Sequence, residues 1–114
     1  MAKKVKISYD YENDILYLFT GEKVKDSLQI DNFVIDFSHN DKIVGIEILE
    51  ASKVLSGIAG MRITKKMLAH ELKHASMRIY FGREVVWIAI ALLFERKETP
   101  IPATISLPSQ VVRV

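Results

Sequence analysis

Apolar and polar residues alternate with a period of two along most of this chain, in short runs separated by turns rich in Asp, Asn, Gly and Ser. That pattern restricts the fold more than any other feature. Such runs are half-buried β-strands, and connections of only a few residues join antiparallel neighbours, because a parallel crossover needs a dozen residues or more. Val5, Ile7 and Tyr9 alternate with Lys6 and Ser8, and Asp10-Tyr11-Glu12-Asn13-Asp14 then turns the chain into Ile15-Leu16-Tyr17-Leu18-Phe19. The second run is apolar on both faces, as in a strand inside a sheet. After Gly21-Glu22-Lys23 comes a weaker strand with Val24, Leu28 and Ile30, then an Asp31-Asn32 turn, Phe33 to Phe37, a Ser38-His39-Asn40-Asp41 turn, and Lys42 to Leu49. Five antiparallel strands in meander order are expected.

Beyond Leu49 the period lengthens. Ala51, Val54, Leu55 and Ile58 fit a short helix interrupted by Gly57 and Gly60. Thr64 suits the N-cap of a second helix, predicted over Lys65 to Ala75, with Leu68, Leu72 and Ala75 on the side facing the sheet. The period returns to two at Met77, Ile79 and Phe81, Gly82-Arg83 turns, and Val85 to Phe94 reads as a long strand apolar on both faces. Ala103, Ile105 and Leu107, bounded by Pro102 and Pro108, read as an edge strand, and the last residues are expected to fray. The predicted fold is therefore one α+β domain over residues 1–114. Its antiparallel sheet has about eight strands, five before a helical insertion and three after it, with the 65–75 helix packed on one face.

A chain of 114 residues with 49% hydrophobic and 26% charged residues can bury one core without staples. Having no cysteine, it has no disulfide, no thiolate metal site and no cysteine nucleophile. Lys3, Lys4 and Lys6 lead into an alternating strand and not into the apolar core of a secretory leader, and the longest apolar run, Val85 to Phe94, is about half the ~20 residues a membrane helix needs. A cytoplasmic location, no membrane association and no cofactor are expected. Scarce Asn and Gln beside abundant Ile, Val, Lys and Glu is a bias of proteins from hot habitats.

The strings Lys6-Ile-Ser-Tyr-Asp10, Asp14-Ile-Leu-Tyr-Leu18, Val34-Ile-Asp36, Val44-Gly-Ile-Glu-Ile-Leu49 and Ala51-Ser52 resemble the YuzE-like family of bacteria and archaea, domain of unknown function 2283. The resemblance covers residues 4–56. Residues 57–75 form a linker and helix, and 76–108 look like the further strands of the longer archaeal members. The family has no established activity and supplies no catalytic residue to carry over. The resemblance implies a protein partner, in an antitoxin-like role, because such members neighbour small RelE-like toxin-type proteins. The motif residues read as structural, with Asp10 and Asp14 bracketing a hairpin turn and Gly45 marking a bulge or close backbone approach.

Three groups of residues could carry chemistry. His70-Glu71-Leu72-Lys73-His74 is a literal H-E-x-x-H, which on a helix sets two imidazoles on one face for zinc and a carboxylate beside the bound water. On the predicted helix, however, His70 and His74 lie about 200° and 240° from Leu68, facing away from the core among Lys65, Lys66 and Lys73. Glu84, Glu95 and Glu98 are the available third ligands, none in a supporting pattern. A solvated helix face is therefore the expectation, with zinc hydrolysis kept only as a remote alternative.

Charge separation is the second feature. Residues 1–50 carry net −4 and residues 51–114 net +6, and Arg62, Lys65, Lys66, Lys73, Arg78 and Arg83 face only Glu71 as a counter-charge within their segment. These six side chains are the candidate surface for an acidic protein or for RNA phosphates. Aromatic residues are not interleaved with them as single-strand binding requires: Tyr80 and Phe81 are the nearby candidates, and Phe81 reads as core. Trp87 and the two-faced strand around it read as core, with a dimer interface as the alternative. The third group, Asp10, Glu12 and Asp14, has carboxylates for a hard cation without EF-hand spacing, and Ser52 and Ser56 lack a nucleophile context. The expected function is non-catalytic binding of a protein partner or a second copy, with nucleic acid as the alternative.

Overall fold

The computed structural model describes residues 2–111, with the side chain of residue 111 left out. Eight strands form one antiparallel sheet: β1 (Lys3–Asp10), β2 (Ile15–Phe19), β3 (Asp26–Ile30), β4 (Phe33–Phe37), β5 (Ile43–Ile48), β6 (Leu72–Phe81), β7 (Val85–Phe94) and β8 (Ile101–Pro108). The expected α+β class and the five-helix-three arrangement are observed. The strand order β3-β4-β5-β2-β1-β6-β7-β8 corrects the expected meander, because β5 returns to pair with β2. The connection from β2 to β3 crosses the ends of β5 and β4, and it is tied down where Thr20 N–H donates to Val44 C=O and Lys25 N–H to Phe37 C=O. Strands β2 to β5 thereby form a Greek key.

Strand β1 joins two half-sheets. Its residues Lys3–Val5 pair only with β6, and Lys6–Asp10 pair only with β2. The sheet folds at this changeover, so Leu16, Leu18, Ile35, Ile46 and Ile48 of one half share a core with Ala75, Met77, Ile88, Ile90 and Leu92 of the other. Each such fully buried aliphatic chain stabilises the fold by roughly 1.5–3 kcal/mol.

A nine-residue helix α1 (Ala51–Ala59) packs against β8 and buries Ala51 and Leu55. It ends at Gly60, whose left-handed backbone (φ 70°) caps it as expected, while Gly57 stays within it. The second helix is corrected. Thr64 does cap, its Oγ1 accepting from Met67 N–H at 3.1 Å, but the helical segment stops after one π-type turn, Met67–Glu71. From Leu72 the chain is strand, ten residues long, paired with β7 along almost its whole length and with β1 at Ala75–Met77. The main helix is thus α1 and not 65–75. Of the tail expected to fray, 112–114 lie outside the described residues, while Ser109 is bonded to Glu84 and Arg83. Among the described residues, no helix is long and apolar enough to cross a membrane.

Candidate functional site

The H-E-x-x-H string straddles a helical turn and a strand, so its two imidazoles do not share a helix face. His70 sits exposed in the π-type turn and His74 exposed on β6. Glu71 is held by its backbone, its C=O accepting from Glu95 N–H at 2.7 Å. Glu84 lies at the far end of β6, and among the described residues no three His, Asp or Glu groups are placed to share a metal ion.

The six basic residues also separate. Ten strand residues at about 3.3 Å each put the two ends of β6 about 30 Å apart. Arg62, Lys65, Lys66 and Lys73 lie towards one end, and Arg78 and Arg83 towards the other. Lys65 Nζ lies 4.6 Å from the Tyr11 ring centre, over the acidic β1–β2 turn, so it belongs with the N-terminal half. Lys73 occupies a bulge where the β6–β7 register shifts between Leu72 and His74.

At the other end of β6 the structure exposes Phe81 and Trp87, which were expected to be core, together with Tyr80. Tyr80, Phe81 and Trp87 are 43%, 63% and 40% exposed, half of the large exposed hydrophobics among the described residues. Tyr80 and Trp87 stand directly opposite each other across β6 and β7, and the Arg78 guanidinium lies over the Tyr80 ring at 4.7 Å. Gly82 in the turn is required by Trp87, since a Cβ there would come within 2.8 Å of the indole and 2.7 Å of Val85 C=O. The outward positions continue from this tip as Ala89, Ala91 and Leu93 on β7 and Pro102, Thr104 and Ser106 on β8. Small residues keep the face flat. Among the described residues no carboxylate stands on it; Arg78 and, on β1, Lys4 are its charged neighbours, with His74 beside them.

Phe81 faces the other way, into a cleft of about 400 Å³ where the two half-sheets part. Val5, Ile43, Met77 and Ile79 also line it, and Lys42 and Glu22 bridge at 3.8 Å on its rim.

In the N-terminal half the polar side chains are occupied with one another. Asp14 accepts from Tyr9 Oη at 2.6 Å, from Ser52 N–H at 3.1 and 3.2 Å and from Ser52 Oγ at 2.7 Å, so it caps α1 from 38 residues upstream. Burial pushes its carboxyl up, but the Ser52 and Tyr9 hydrogen bonds and nearby Lys65 outweigh this and hold it below the usual carboxylate value. Asp10 is likewise lowered by its bonds from Asn13. Tyr9 and Tyr17 are raised by burial and by the carboxylates Asp14 and Asp36 that their hydroxyls bond. Asp36, 5% exposed, accepts from Tyr17 Oη at 2.5 Å and Ser27 Oγ at 2.6 Å directly above Gly45, where a Cβ would come within 2.9 Å of the carboxylate. Ser56 Oγ ties α1 to Ile63 through its N–H at 2.8 Å. The candidate cation turn and both candidate serines are therefore parts of the scaffold.

Nearly all of these interlocked residues fall in one stretch, and residues 6–52 match the sequence model of the family described as Protein of unknown function (DUF2283). The resemblance seen in the sequence is thereby borne out for the N-terminal half-sheet. An uncharacterized protein of Methanocaldococcus jannaschii is 54% identical over 54 residues, 46% of this chain and 47% of that one. A Methanosarcina mazei protein provisionally named hypoxanthine phosphoribosyltransferase is 38% identical over 48 residues, 41% of this chain and 39% of that one. The matches span less than half the length of these relatives, both archaeal. No solved structure matches the chain. The aromatic face of β6–β8 lies outside the DUF2283 segment.

Proposed function

We propose that the protein is a non-catalytic binding module that docks a protein partner on the outer face of β6, β7 and β8. The observation that carries this reading is the exposed cross-strand pair Tyr80 and Trp87 with Arg78 stacked beside it. Trp, Tyr and Arg dominate the energetics of protein interfaces, and the small outward residues next to them let a partner approach closely. With Arg78 and Lys4 around it and no carboxylate among the described residues, the face suits an acidic partner surface. The antitoxin-like role implied by the family resemblance is a role of this kind. Catalysis receives no support from the N-terminal carboxylates and hydroxyls, which satisfy one another. The likeness to the Methanosarcina relative is confined to 48 residues and carries no activity over to this chain. Co-expression with the product of an adjacent gene tests the proposal. A complex that Trp87→Ala and Tyr80→Ala each weaken tenfold or more is expected; no complex at micromolar concentration, or one indifferent to both variants, refutes it.

A single-stranded nucleic acid is the second reading. It is favoured by the same geometry, since exposed rings beside arginine supply the stacking platform that the sequence alone lacked. Oligonucleotide binding that falls steeply with salt and is lost in Tyr80→Ala would select this reading over the first.

A further inference from the structure

The two edges of the sheet are built differently. Edge strand β8 carries Pro102 and Pro108, and helix α1 packs against it, devices that discourage pairing with another chain. Edge strand β3, Asp26-Ser27-Leu28-Gln29-Ile30, carries no proline and no lysine, and its one charge stands at its first position. It pairs with β4 alone, so the backbone groups of its other edge make no strand pairing among the described residues. Leu28 and Ile30, packed at the margin of the core, remain half-exposed on that edge.

We propose that β3 pairs antiparallel with β3 of a second copy about a two-fold axis at Leu28, joining two sheets into one. Antiparallel strands related by a two-fold are self-complementary, and this register can be read residue by residue. Leu28 meets Leu28 of the copy, Ser27 meets Gln29, and Asp26 meets Ile30. Just beyond the strand ends, exposed Lys25 comes near exposed Asp31 at the left-handed start of the β3–β4 turn (φ 51°), and the symmetry brings these opposite charges together twice. No like charges oppose each other. A shift of the axis by one residue would lose both the Lys25–Asp31 pairs and the Leu28 contact. Five strand residues make a small interface, at the weak end of specific association, so the dimer is one that forms at high micromolar concentration.

Sedimentation equilibrium of the full chain tests this, with the mean mass expected to rise reversibly from 13.0 kDa towards twice that value as concentration increases. Lys25→Glu, a surface change that places like charges opposite Asp31, should weaken the dimer about tenfold at low salt, and Lys25→Glu with Asp31→Asn should recover part of the loss. The absence of native cysteine allows a second measurement. Directly opposed residues have Cα atoms about 4.5–5.5 Å apart, within disulfide reach. Leu28→Cys should therefore oxidise to a covalent dimer, whereas Gln29→Cys, whose symmetry mate lies two residues off register, should do so poorly. A monomer at all concentrations overturns the proposal. So does a dimer that is unaffected by Lys25→Glu, or one that dissociates on Trp87→Ala instead.

Discussion

Asp14 is the single residue on which most of the N-terminal half depends. Its left-handed backbone (φ 55°) turns β1 into β2, while its carboxylate caps a helix distant in sequence and fixes the Tyr9 hydroxyl. Asp14→Ala removes all of this and should cost about 2–3 kcal/mol in denaturant unfolding; Asp14→Asn, which tolerates the same backbone, should cost about half as much. The pH dependence follows from the same bonds. Asp10 and Asp14 have folded-state values below their unfolded ones, so their contribution is present above about pH 4 and is lost as the pH falls through the lowered values. Tyr9 and Tyr17 are raised, so their contribution holds below about pH 10 and is lost as the pH rises beyond it. Unfolding free energies measured from pH 2 to 11 should show both flanks, and Asp14→Asn should flatten the acid one. Asp10, Asp14 and Gly45 were legible as structural residues. The partner of Asp10, Asn13, is local to the turn, but what Asp14 bonds and Gly45 approaches was not legible, because Ser52 and Asp36 are brought to them by pairings remote in sequence.

At the scale of elements, all eight strands were legible, because period-two alternation survives wherever one face is buried. Their order was not: β5 reaches β2 across two intervening strands, and nothing local specifies a Greek key over a meander. The 65–75 helix failed for a definite reason. Leu68, Leu72 and Ala75 fit a helical stripe, but Ala75 also begins the alternation Ala75-Met77-Ile79-Phe81, and β7 offers a ten-residue partner that decides for strand. Ala75→Pro separates the alternatives. At the end of a helix it would be mild, but in β6, where Ala75 pairs with Val5 on one side and Leu92 on the other, it removes a ladder donor from an interior strand. Circular dichroism should show the variant unfolded or destabilised by about 3 kcal/mol or more.

For the whole molecule, the N-terminal half-sheet is a self-satisfied scaffold and the C-terminal half-sheet carries the open aromatic face. The sequence favoured the core for Trp87, with a dimer interface as the alternative, because β7 is apolar on both faces, which is the mark of a strand covered twice. Only the complete inventory of elements shows that α1 is the one full helix among the described residues and that it does not cover the outward side of β7. Trp87 is also the chain's single tryptophan, so its emission reports this face without a label. The most direct test is that emission during titration with the adjacent-gene product. A blue shift with several-fold protection from iodide quenching is predicted as the indole is covered, and a complex that forms while both signals stay unchanged would contradict the account.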